Sequence, residues 1–80
     1  MARIVMADDG IAFDGRTMRE RPLGGAESAF VSLAEAFAAR GHLVTVCNNC
    51  PDPGTQFGVD WRRIADGLAG TADLYIANRG

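Results

Sequence analysis

Pro22-Leu23-Gly24-Gly25-Ala26-Glu27 opens a helical pattern that continues unbroken to Arg40. The stretch lies between two apolar runs, Arg3 to Ala7 and Leu43 to Cys47. Strand, glycine pair, helix and strand in that order make a βαβ unit. Glycines at the turn remove side chains where backbone N–H groups and the positive end of a helix converge. That corner suits an anion, most often a phosphate. A steric reading stands beside it, in which the glycines only tighten the turn and let the helix approach the strand.

Outward from this stretch, the first strand, Ile4-Val5-Met6-Ala7, is a continuous apolar run, as in a parallel strand buried on both faces. Asp8-Asp9-Gly10 ends it, and a long polar connection follows to Leu23, with Ile11 and Phe13 as its apolar points. Loops of this length are often functional. The helix is expected from about Ala26 to Arg40. Phe30, Leu33, Ala34 and Phe37 share one face, Glu27 sits in the first turn, Arg40 in the last, and Gly41 is the stop. Leu43 to Cys47 is the second strand, and His42 before it is read as a surface or satisfied residue. Asn48 to Phe57 reads as loop. Asp60 is then placed as the N-cap of a second helix carrying Trp61, Ile64, Ala65 and Leu68. Asp73 to Ala77 is the third strand.

The expected fold is α/β, a three-stranded parallel Rossmann-like sheet forming a single unit over residues 1–80. Strand orders 3-2-1 and 2-1-3 are both open to a right-handed chain. Order 2-1-3 is preferred because it puts helices on both faces of the sheet, as parallel strands require. It also creates a switch point between strands 1 and 3, where open α/β sheets bind ligands. A doubly wound sheet normally carries more strands, so the unit reads as incomplete, needing further chain or a partner surface. An uncovered edge at strand 3 favours self-association.

Composition narrows the function. The chain is slightly acidic, with formal net charge −2 and no lysine. No basic face argues for nucleic acid. No apolar run is long enough to span a membrane, and the N-terminus lacks the apolar core and cleavage site of a secretory signal. A cytoplasmic setting is expected. Arg16, Arg19 and Arg21 crowd the loop before the glycines, as solvated charges or as phosphate contacts.

Several motifs are weighed and set aside. Gly24-Gly25 is not the dinucleotide fingerprint, and Cys47-Asn48-Asn49 stands where a ribose-binding acid belongs. Cys47-Asn48-Asn49-Cys50 is a lone C-x-x-C without the second pair of a zinc ribbon, and it runs into proline rather than opening a helix. Asp8-Asp9 resembles the acidic pair of phospho-receiver domains, but Asn78 stands where the phosphoryl acceptor belongs. No metal and no cofactor are called for.

Arg-Ile-Val-Met at the start, Pro-Leu-Gly-Gly-Ala-Glu-Ser at 22–28, Ala-Glu-Ala-Phe-Ala-Ala-Arg-Gly-His at 34–42 and the following Val-Thr-Val are, in combination, similar to a known opening. They resemble the N-terminal domain of GT-B fold glycosyltransferases of the group 1 or family 4 type. Ala-Asp-Leu-Tyr-Ile-Ala-Asn-Arg at 72–79 is similar to the later strand that such enzymes place beside strand 1. The resemblance implies two Rossmann-like domains flanking a cleft, the first mainly for the acceptor and the second for a nucleotide-sugar donor. It implies that Gly24, Gly25, Ala26 and Glu27 form a loop facing the donor diphosphate. It places Asp9, Arg16, Asn78 and Arg79 on the acceptor side. The second domain's donor-holding glutamate has no counterpart in these residues, so the 80-residue chain alone is expected not to transfer sugar. A non-catalytic association module is the alternative, and a degenerate phospho-receiver is the third reading.

Overall fold

A computed structural model describes residues 1–8, 10, 12–14, 17, 25–67 and 71–78. These form one mixed sheet and one α-helix: β1 (Arg3–Asp8), α1 (Gly25–Ala39), β2 (Leu43–Asn48), β3 (Gly54–Gln56), β4 (Val59–Arg63) and β5 (Leu74–Asn78). A short 3-10 turn, Ile64–Asp66, follows β4. The sheet order is β3-β4-β2-β1-β5. β2 and β5 flank β1 in parallel, β4 is parallel to β2, and only β3 runs antiparallel.

The three strands expected from the sequence are therefore β1, β2 and β5, with β1 between the other two. The expectation of three strands with helices on both faces is corrected in two places. The span given to loop supplies β3, and the span given to a second helix is β4. The reason is local. Gln56 and Val59 are register partners across a hairpin whose central residues, Phe57 and Gly58, have φ of 51° and 81°. Positive φ at both central positions matches the right-handed strand twist. Beyond the turn the chain alternates, with Val59 and Trp61 buried and Arg62 exposed. That is a period of two, not 3.6.

Alternation also explains the core. Ile4 and Met6 of β1, Val44 and Val46 of β2, and Val59 and Trp61 of β4 project to one face. There they meet Phe30, Val31 and Ala34 of α1. Burying each large side chain of this set contributes roughly 1.5–3 kcal/mol. The helix face is rotated from the expected stripe. Val31 is fully buried and Leu33 is 41% exposed. At about 100° per residue, the set 30, 31, 34, 37 and 38 is centred about 50° around the helix from the expected stripe of 30, 33, 34 and 37.

Both ends of the packing are tied. At the C-terminus of α1 the His42 N–H donates to the Phe37 carbonyl at 3.2 Å, and the Gly41 N–H to the Ala38 carbonyl at 3.0 Å. With Gly41 at φ +88° this is a Schellman cap. The His42 ring rests edge-on against Phe37, and its Nδ1 accepts the Ala2 N–H at 3.0 Å. His42 is thus the satisfied residue expected, fastening α1 to the start of β1. Arg40 lies one residue past the helix, not in its last turn.

Phe13 fills the other end. Fully buried, it packs edge-to-face on Phe30 at 6.1 Å between ring centroids and on Trp61 at 6.0 Å. Opposite α1, the sheet face carries Thr45, Asp60, Arg62, Tyr75 and Ala77, and no helix among the described residues covers it. None of the described helices is long and apolar enough to cross a membrane.

A Cβ on Gly58 would stand 3.3 Å from Ala38 Cβ in a positive-φ conformation, whereas one on Gly25 meets nothing within 4 Å. Gly58→Ala is therefore expected to cost about 1–3 kcal/mol in urea unfolding, and Gly25→Ala to stay within about 0.5 kcal/mol of the parent. Phe13→Ala, which removes an aromatic ring from the middle of the core, is expected to cost about 3–5 kcal/mol in the same measurement.

Candidate functional site

The C-terminal ends of β1, β2 and β5 lie at one edge of the sheet, and the chain leaves β1 there to reach α1. Phe30, in the second turn of α1, packs on Phe13, whose carbonyl is held at the end of β2. The start of α1 therefore lies at this edge, and its capped end lies beside Ala2 and Leu43 at the other.

The described part of the β1–α1 connection is fastened by a polar network, buried around Asp14, Thr17 and Asn48 and exposed at Asn49. Asp8, 2% exposed, accepts the Gly10 N–H at 2.7 Å, an Asx turn that swings the chain out of β1. Asn49 Nδ2 donates to the Gly10 carbonyl at 2.9 Å, and Asn48 Nδ2 to the Phe13 carbonyl at 2.8 Å. Asp14 and Thr17 bond reciprocally. The Thr17 N–H donates to Asp14 Oδ1 at 3.1 Å, and the Asp14 N–H donates to Thr17 Oγ1 at 3.0 Å. This is the pairing of a capping box. Gln56 Nε2 closes the network from β3, donating to Asp14 Oδ2 at 3.3 Å and to the Asp52 carbonyl at 2.8 Å. Each bond is worth about 1 kcal/mol net, but breaking one here leaves a buried polar group unpaired, at about 1–3 kcal/mol. The Asn48 amide points its nitrogen at Phe13, and its Oδ1, like Trp61 Nε1, is buried without a partner.

The residues singled out from the sequence fall into three groups. Gly25, Ala26 and Glu27 form the first turn of α1; Gly25 is exposed and Glu27 half-buried. The Glu27 carboxylate complements the helix dipole. Asn78 is the last residue of β5, in register with Asp8. Asp9, Arg16, Gly24 and Arg79 lie outside the described residues, as do Arg19, Arg21 and Leu68. The structure thus brings Asn78 beside Asp8 at the strand ends. Among the described residues nothing lies within 4 Å of a Cβ built on Gly25.

Asp14, Thr17, Asn48, Asn49 and Gln56 were not singled out as site residues. The Asp14-x-x-Thr17 spacing was a usable signal, being that of a capping box, and so was a pair of amides ending a buried strand. Gln56 had no signal, because its role depends on the hairpin. The cavities described for the sheet, of about 360 and 400 Å³, lie elsewhere and share Leu43 and Thr45.

Cys47 and Cys50 are free thiols, both buried. Burial pushes the Cys50 thiol up from its ordinary range, aided by Asp14 and Asp52 and opposed by a backbone hydrogen bond and Arg63. Such a thiol is a poor nucleophile at neutral pH. Among the described residues no group of three or more acidic, histidine or cysteine side chains converges as a metal site would need.

No protein-family model, curated protein or solved structure matches this chain.

With its pKa raised in the native state, Cys50 keeps its proton after the unfolded chain has lost it, above pH about 8.5. The native state then binds more protons, so this residue makes stability fall as pH rises through the alkaline range. Urea unfolding from pH 7 to 10 should show the decline, and Cys50→Ala should flatten it. At pH 7 the Cys50 thiol should react with Ellman's reagent only when denaturant is added.

Proposed function

We propose that this chain forms the acceptor-side domain of a nucleotide-sugar-dependent glycosyltransferase of the GT-B type, with a Rossmann-like sheet as its frame. The observation that carries the reading is the position of Gly25. It opens α1 at the edge where β1 parts company with its two parallel neighbours, β2 on one side and β5 on the other. Ligands of open α/β sheets settle at such a switch point. That no described residue comes within 4 Å of a Cβ built on Gly25 supports the same reading, with the first-turn backbone N–H groups of Gly25, Ala26 and Glu27 beside it.

In this reading those N–H groups, with Gly24 ahead of them, face the diphosphate of the donor. The chemistry is displacement of a nucleoside diphosphate by an acceptor hydroxyl. Negative charge builds on the leaving diphosphate as the glycosidic bond breaks. Fixed amides aimed at that charge stabilise the transition state more than the ground state. Asn78, beside Asp8 at the strand ends, belongs to the acceptor side with Asp9, Arg16 and Arg79. The network around Phe13 holds the described residues Gly10, Phe13, Asp14 and Thr17 of the β1–α1 connection. The sugar nucleotide's base and sugar are held by a second, donor-binding domain, as the resemblance implies, so transfer requires both.

Calorimetric titration with UDP-glucose, GDP-mannose and inorganic pyrophosphate tests the reading, on a protein that contains both domains. Gly25→Val places branched methyl groups in the open space without meeting the fold. It is expected to weaken nucleotide-sugar binding about tenfold or more, while thermal unfolding changes little. Unchanged affinity and turnover in Gly25→Val would remove the glycine corner from the donor site.

A further inference from the structure

Gln56 ends β3, and its side chain is buried, at 4% exposure for the residue. It pairs with Val59, the first residue of β4. β4 runs parallel to β2, so the Gln56 backbone stands away from the edge where β1, β2 and β5 finish. The side chain nevertheless reaches the connection that leads to that edge. Its Nε2 donates to Asp14 Oδ2 at 3.3 Å, across 42 positions of sequence. It also donates to the Asp52 carbonyl at 2.8 Å, which ties the amide to its own loop and fixes the direction of the longer bond. Hydrogen bonds that a carboxylate accepts are stronger than neutral ones, and a buried setting strengthens them further.

Two contacts lead from Asp14 to the start of α1. Asp14 follows Phe13 in the chain, so holding its carboxylate holds the backbone beside the Phe13 ring. That ring packs edge-on against Phe30 of α1, with centroids 6.1 Å apart. α1 is one helix over Gly25–Ala39, so a displacement at Phe30 is carried to its first turn. The same hairpin also bears on the other end of α1, where a Cβ built on Gly58 would stand 3.3 Å from Ala38 Cβ. β3, β4 and the turn between them therefore touch what holds both ends of the helix.

We propose that Gln56 is a positioning residue for the first turn of α1. Acting through Asp14 and Phe13, it sets where the N–H groups of Gly25, Ala26 and Glu27 stand and so raises the affinity for the diphosphate of a nucleotide-sugar. This inference rests on the diphosphate reading of that corner given above. Gln56 touches no substrate in it. Amides hold an anion only at hydrogen-bond distance and alignment, so a small displacement of the helix start weakens binding with no ligand contact deleted.

A double-mutant cycle with Gly25→Val tests this, by calorimetric titration of UDP-glucose and GDP-mannose into a protein that contains both domains. Gln56→Met keeps the length of the side chain and removes its donor. It is expected to weaken nucleotide-sugar binding about three- to tenfold, with thermal unfolding confirming that the variant is native at the titration temperature. In the Gly25→Val background the same substitution is expected to cost less than about twofold, because the corner through which it acts is already blocked. A role confined to stability would cost the same in both backgrounds. Gln56→Asn, whose amide falls one methylene short of Asp14, is expected to behave like Gln56→Met and takes its place if the methionine variant fails to fold. Unchanged affinity in a natively folded Gln56 variant, with Gly25→Val still weakening binding, overturns the proposal and leaves the diphosphate reading standing. An equal loss in both backgrounds does the same. Unchanged affinity in Gly25→Val removes the diphosphate reading itself, and this inference with it.

Discussion

The packing of Phe13 between Phe30 and Trp61 holds this molecule together. Phe13 belongs to the connection between β1 and α1, not to a strand or helix. Yet its ring joins the helix to the second parallel pair of the sheet, β2 and β4. Edge-to-face contacts of this kind add about 0.5–1.5 kcal/mol each beyond the burial of the rings. The backbone around it is fixed in turn. Asn48 holds its carbonyl, and Asp14, the next residue, is held by Thr17 and Gln56. Phe13, Asp14 and Thr17, the buried described residues of this connection, thereby join the core.

That constraint bears on the proposed chemistry. A helix start can serve as an anion site only if it is positioned before the ligand arrives. Here the position is set on three sides. The Schellman cap and His42 fix the far end of α1, Phe30 fixes the second turn, and the amides of Asn48 and Asn49 hold the connection leading to it.

The sheet is asymmetric, and the asymmetry follows from the order of its strands. β1 and β2 are central and take α1 across one face. β4 reaches the core only because the hairpin at Phe57-Gly58 returns it alongside β2, and the antiparallel β3 then closes that side. Among the described strands β5 pairs with β1 alone.

Much of this was legible from residue order alone. The apolar runs at Ile4 to Ala7 and Leu43 to Cys47, the helix between them and its stop at Gly41 are local signals, and local signals reflect period and capping. Strand 1 does lie between the other two expected strands, but the reason given for that order, a helix on each face, does not hold among the described residues, where the expected second helix is β4. What the sequence could not decide was the state of 54–63. Trp61, Ile64, Ala65 and Leu68 read as a helical stripe, and only a turn with two positive φ values, pinned against Ala38, makes Val59 and Trp61 alternate instead. Gln56, Asn48 and Asp14 likewise acquire their roles from partners 35 and 42 positions away. Contacts at that separation depend on how strands order themselves in space, and no pattern within a short window contains that information.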